Sequence, residues 1–272
     1  MAAPPPCDAL TPGARRRLER AVQLLEAPSF AVRLANHAGK PFNRVVGAIP
    51  GVNEAVRGVV HSAIMQCLEV AIDSLEEEKF PPSVWLPKAM TGLTGGIGGL
   101  FGAAALPVEL PLTTTLMLRS IADIARHHGE DLTDIEARLS CLEVFALGGR
   151  KSDSKADIGY YAARAMFTKL SSDLVSHLVE RGVVEITTPV VTRLVSAVVS
   201  RFGLVISEKA AATAVPVLGA VSGAMLNMVF MDHFERIAQG HFTLRRLERQ
   251  HGREAIGRLY DDIAAPPPSP AP

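Results

Sequence analysis

Aromatic residues are scarce in this chain: 5% of 272 positions, with one tryptophan and three tyrosines. The apolar total is nevertheless 48%, so the core is expected to rest on Ala, Val, Leu and Ile rather than on rings, side chains short enough for close helix packing. Net charge is lacking too. The 28 basic residues balance 28 acidic ones, which removes any bulk electrostatic reason to expect nucleic acid as a partner. Cysteine is limited to Cys7, Cys67 and Cys141. An odd number so widely spaced fits neither a disulfide framework nor a clustered metal site, and it suits a reducing compartment. The opening MAAPPPCDALTPGARRRLER puts its basic residues after the prolines, with no apolar run behind them. It therefore does not read as a secretory signal, and a cytoplasmic location is expected.

Recognisable catalytic motifs are equally sparse. GGIGGLFG lacks the spacing and the terminal Lys-Ser/Thr of a phosphate-binding loop, and Phe101 stands where a dinucleotide fingerprint needs its third glycine. In GAVSG at 219–223, Ser222 lies one place off the spacing of a nucleophile elbow. Adjacent His127 and His128 cannot share one site on a helix, and no H-E-x-x-H or Cys/His cluster is present. The sequence gives no reason to expect a metal or a cofactor.

What is abundant is small residues in uncharged runs. No charge occurs between Lys88 and Glu109, where Gly92, Gly95, Gly96, Gly98, Gly99 and Gly102 form three overlapping G-x-x-x-G pairs. Residues four apart share a helix face, so this face is a bare backbone that another helix can approach closely. A second uncharged run covers 210–231 and contains Gly219, Gly223 and Asn227. The expected fold is an all-α single multi-helix domain in which the helices at 83–105 and 210–231 are central and pack together. Both runs are long enough to cross a bilayer, but their Ala, Gly and Thr content favours a buried hairpin over an integral membrane protein.

Elsewhere the pattern is helical. Thr11 and Pro12 read as N-cap and first position of a helix reaching about Glu26. From Asn53, apolar residues at Val56, Val60, Ile64, Cys67, Leu68, Ala71 and Leu75 give an amphipathic helix. Pro107 and Pro111 are expected to kink or break the next stretch, leaving a helix over 112–127 that Gly129 ends. Thr133 and Glu136 suggest a capping box for an amphipathic helix running to Gly148, and 148–157 reads as a polar loop. Helices are expected at 157–179 and 187–201, with Val183–Ile186 and 195–199 as alternative strands, and two charged outer helices at 243–250 and 253–263. Residues 1–12 and 264–272 are proline-rich and expected to be disordered, which leaves 13–263 as the helical domain.

Several polar residues merit attention in that frame. Glu109, between two prolines at the end of an apolar run, must find a cation or be protonated if it is buried. Arg119 and Asp123 are spaced to pair on a helix. Asn227 can hydrogen-bond across helices. Tyr160, Tyr161 and Arg164 read as packing and surface-pairing residues, and His233 as a solvated or capping residue beside Asp232.

One family accounts for these features together. The stretch GLTGGIGGLFGAAALPVELPLTTTLMLRSIADIARHHGEDLTDIEARLSCLEVFALGG, the GYYAAR element at 159–164 and VPVLGAVSGAMLNMVFMDHFERIAQGHFTLRRLE resemble the EcsC family of bacterial proteins over about 60–250. Glu109 stands where an aspartate is expected. The founding member is encoded beside ABC-transporter subunits and its activity is not established. The resemblance therefore implies a non-enzymatic accessory or regulatory protein, cytoplasmic or peripheral at the inner membrane, with transporter subunits or the membrane surface as partners. The competing expectation is a hydrolase that uses Glu109, or Asp232 with His233, in a helical pocket.

Overall fold

A computed structural model of the chain describes residues 10–28, 30, 32–33, 54–73, 106–149, 159–182, 187–213 and 223–265. The glycine-rich segment 83–105, Gly219, the Asn53 cap, the 183–186 strand alternative, most of the 148–157 loop and nearly all of both proline-rich ends lie outside them. The described residues form eight helices and no strand. They are α1 (Pro12–Leu25), α2 (Glu54–Asp73), α3 (Leu106–His127), α4 (Ile135–Leu147), α5 (Tyr160–Arg181), α6 (Pro189–Thr213), α7 (Gly223–His251) and α8 (Arg253–Ala264). The all-α expectation holds, and 195–199 is helical rather than a strand.

Local chemistry sets the helix ends. Thr11 Oγ1 accepts from the Ala14 amide at 3.2 Å, with Pro12 at the first helical position. The cap of α4 is Asp134, not Thr133: Asp134 Oδ1 accepts the Glu136 amide at 3.0 Å, while Thr133 is held by Asp131. Pro107 and Pro111 do not break α3, which begins at Leu106 and runs through both. So close to a helix start most amides lack an intrahelical partner anyway, and Pro111 forfeits only one bond. Gly129 then takes a left-handed φ of 81° beyond the end of α3, a conformation that a Cβ would penalise.

The centre of the molecule is α4. It packs against α2, α3, α5, α6 and α7, and every residue from Ala137 to Leu147 is buried. The amphipathic expectation for this helix is therefore corrected. Its polar positions Arg138, Ser140 and Glu143 are buried along with the apolar ones. Its C-terminal end is pressed hard against its neighbours, since a Cβ on Gly148 would lie 2.4 Å from the Phe234 ring and one on Gly149 2.1 Å from the Arg201 carbonyl oxygen. These two glycines belong to the core rather than to a polar loop.

Aromatic scarcity also misleads. Seven phenylalanines, Phe30, Phe145, Phe167, Phe202, Phe230, Phe234 and Phe242, are at most 1% exposed. Phe145 and Phe202 meet at 5.0 Å between ring centroids, and Phe230 and Phe234 at 5.2 Å. Each buried ring contributes about 1.5–3 kcal/mol through the area it removes from water. Among the described residues, the phenylalanines all lie in the interior.

Residues 214–222 of the second uncharged run lie outside the described residues. Its described residues are divided between the end of α6 and the start of α7, which continues to His251. Residues 243–250 are thus the last turns of a long central helix, with Leu244 and Leu247 buried, and not an outer one. Helix α8 also buries Ile256 and Tyr260. One described helix, over Pro189–Ala210, is long and apolar enough to cross a membrane, and half of that window is buried inside the protein. Arg201 on it donates to the Ala146 carbonyl at 3.1 Å, within contact range of α4.

Candidate functional site

Glu143 sits in the middle of α4, in an otherwise apolar stretch, and faces the groove between α5 and α7. Its Oε1 lies 3.5 Å from the Ser171 hydroxyl on α5, and its Oε2 is 3.9 Å from His241 Nε2 on α7. Burial pushes the Glu143 carboxyl up to about 7, partly offset by Arg245 and Arg164. Burial also holds His241 well below its ordinary value, with Arg164 and Arg245 pushing in the same direction. With its imidazole held neutral, His241 does not form an ion pair with Glu143. The other ring nitrogen of His241, Nδ1, is 2.9 Å from the Tyr160 hydroxyl.

Around this centre stand charged pairs. Arg164 on α5 grips Glu248 on α7 with two bonds of 2.7 Å, and the Tyr161 hydroxyl donates to the same carboxylate at 3.0 Å. Both members of the pair are buried, so the bidentate geometry supplies the compensation that a dry ion pair needs. The turn after α3 presents Glu130 to α7, where Arg245 binds both its oxygens at 2.9 Å and Arg249 adds a further bond. Burial alone would raise the Glu130 carboxyl, but these two guanidinium groups outweigh it and hold it below the usual range. Helix α7 organises the whole array: His241, Arg245 and Glu248, at i, i+4 and i+7, lie along one face.

The remaining sequence candidates go elsewhere. Glu109, in the first turn of α3, accepts from Lys209 Nζ on α6 at 2.8 Å, and the Lys209 ammonium sits 4.8 Å from the centre of the Phe230 ring. Burial pulls Lys209 below its ordinary value, and Glu109 opposes this. Asp123 is bonded to Arg126 at 2.9 Å, one turn further along α3. Arg119, on the same helix, is exposed. Asn227 is wholly buried near the start of α7, and Gly223 is that helix's first residue.

His233 is not solvated. It is buried, and its Nε2 lies 2.9 Å from the Gly148 carbonyl, so this nitrogen carries the proton and donates. Burial lowers its pKa to about 4. Its neighbour Asp232 turns to the surface to meet Arg33 and Arg236. Successive helix residues point about 100° apart; the two do not form a joint acid-base site. Glu109, committed to Lys209, shares no partner with either.

An open feature lies on the other side of the Glu130 turn. Two adjoining hollows of about 380 and 340 Å³ share His127 and His128 at the end of α3. Ala21, Leu24 and Ile124 floor the first, and Arg17 and Arg20 of α1 rim it. Arg126, Arg246 and Arg249 line the second. His128 is positioned by the Ile124 carbonyl at 2.8 Å and by Thr243 at 3.1 Å, and His127 by the Asp123 carbonyl at 2.8 Å. Among the described residues, no carboxylate lines either hollow.

Comparison with known proteins rests on one finding, a match of the EcsC protein family model to residues 64–247. The chain belongs to the EcsC protein family. No match was found among curated proteins or among solved structures. The EcsC span takes in α3 to α6, the second half of α2 and most of α7, and with them Glu130, Glu143, Arg164, His241 and Arg245. It leaves out α1, and therefore Arg17 and Arg20 of the cleft rim.

Sequence reasoning missed most of the EcsC array. Glu143 was visible as the only carboxylate in LSCLEVFAL, a position that demands an explanation in an apolar helix. The spacing of His241, Arg245 and Glu248 was equally legible. Neither Lys209 nor Glu130 carried a local signal, because their partners lie about 100 residues away.

Proposed function

We propose that this EcsC protein is a non-enzymatic accessory or regulatory protein that works at the inner face of the membrane, with ABC-transporter subunits as candidate partners through its family. One observation carries the reading. The interior ionisable groups are turned towards one another inside the helix packing, whereas the open hollows are lined by cations and histidines without a carboxylate among the described residues. General acid-base or nucleophilic work needs complementary groups converging on a space that substrate can enter; a one-sign cleft is suited to holding an anionic partner. Fractionation of cells expressing the protein, with high-salt and alkaline-carbonate washes of the membranes, tests it. Recovery with membranes and release by salt is expected. An exclusively soluble protein, or one that resists both washes, contradicts the peripheral reading.

A further inference from the structure

We infer that the cleft between α1, the end of α3 and α7 is a binding site for the phosphate of an anionic phospholipid headgroup, an assignment that rests on the peripheral-membrane reading above. The chain as a whole is neutral, yet Arg17, Arg20, Arg126, Arg246 and Arg249 gather around two hollows that contain no carboxylate among the described residues. Arg126 and Arg249 are braced from behind by Asp123 and Glu130. Arg17, Arg20 and Arg246 are exposed and form no ion pair among the described residues. Guanidinium groups suit phosphate because their planar forks match its oxygens two at a time.

The floor decides between a free anion and a lipid. A site for soluble phosphate gains nothing from Ala21, Leu24 and Ile124 beneath the cationic rim, but an amphiphile can rest its glycerol and upper acyl carbons there while its phosphate meets the arginines. His127 and His128 mark the junction of the hollows and leave the phosphate to the arginines. The ring Nδ1 atoms of both are engaged with backbone carbonyls one turn back, so Nδ1 carries the proton and the rings are held at the junction of the two hollows.

Flotation of the full chain with phosphatidylcholine vesicles, with and without phosphatidylglycerol, tests this assignment. Binding to the anionic vesicles alone is expected. R17E/R20E should weaken it at least about tenfold, since each basic residue at such a surface is worth about 1 kcal/mol and reversal costs more than removal. R181E/R193E, the same charge change at exposed positions on α5 and α6, should leave flotation at the wild-type level. Inorganic phosphate at matched concentration should not displace the protein. Absence of wild-type binding overturns the assignment, as does equal weakening by both double variants, or displacement by inorganic phosphate as complete as by the lipid. If cellular fractions still show salt-released membrane protein in that event, the peripheral reading stands and attachment runs through a protein partner.

Discussion

Replacing Glu143 by glutamine should change how stability depends on pH more than it changes the fold. The carboxyl has an ordinary value of 4.5 and is pushed up to about 7 by burial in α4. Between those values the folded protein keeps a proton that the unfolded chain releases. The stabilising contribution of this residue is therefore complete below about pH 4.5 and lost as pH rises through 7. At about 1.4 kcal/mol per pH unit, the span from 4.5 to 7 corresponds to roughly 3 kcal/mol. Glutamine is nearly the same shape and carries no charge at any pH. Urea denaturation of wild type and E143Q from pH 5 to 8.5 isolates the effect, because a constant packing difference shifts the whole series while titration of Glu143 tilts it. The variant should gain on the wild type with rising pH, by up to roughly 3 kcal/mol at the alkaline end. A difference that stays flat, or tilts the other way, would refute the claim that the buried carboxyl favours its neutral form.

Other consequences are separately checkable. His233, lowered to about 4 from an ordinary 6.5, contributes stability that is present above 6.5 and lost as pH falls through 4, and H233Q should flatten the acid limb of a urea series carried down to about pH 3.5. R164A should cost about 3–5 kcal/mol because it strands Glu248 in a dry site, and R164M/E248M should recover much of that loss; a double-mutant cycle with no coupling would contradict the pairing. G149A should destabilise by about 1–3 kcal/mol in thermal melts, since the obstacle at 2.1 Å is backbone and cannot rotate away. Cys67 and Cys141, buried and each raised to about 12 by burial, should react with a thiol reagent only after unfolding, as followed by mass spectrometry.

Helical class was legible because periodicity is local. The Thr11 and Pro12 start and the Gly129 stop each depend on neighbours within a turn, and the sequence displays them. Burial on all sides of α4 was not, since Arg138, Ser140 and Glu143 read as a polar face, whereas Arg138 donates to the Thr133 carbonyl, Ser140 to the Glu136 carbonyl of its own helix, and Glu143 meets Ser171 on α5. The same cause misplaced 243–250: its charges suggested solvent, yet Arg245 and Glu248 are spent on Glu130 and Arg164 from distant parts of the chain. Charge in a sequence indicates a need for a partner, and water is only one of the partners available. Pro111 teaches the complementary lesson, that a helix breaker has force in a helix interior and little near its start. The basic cleft was hidden by neutrality, because the net charge of a whole chain says nothing about how its charges are sorted in space.

The central claim is that the buried ionisable array supports the fold while the exposed cleft performs the task. Membrane recovery in cells, measured side by side for wild type, E143Q and R17E/R20E at equal expression, tests it most directly. Wild-type recovery is expected for E143Q, and a shift to the soluble pool for R17E/R20E. Release of E143Q from membranes while R17E/R20E stays bound would contradict that claim and would place the function in the interior array.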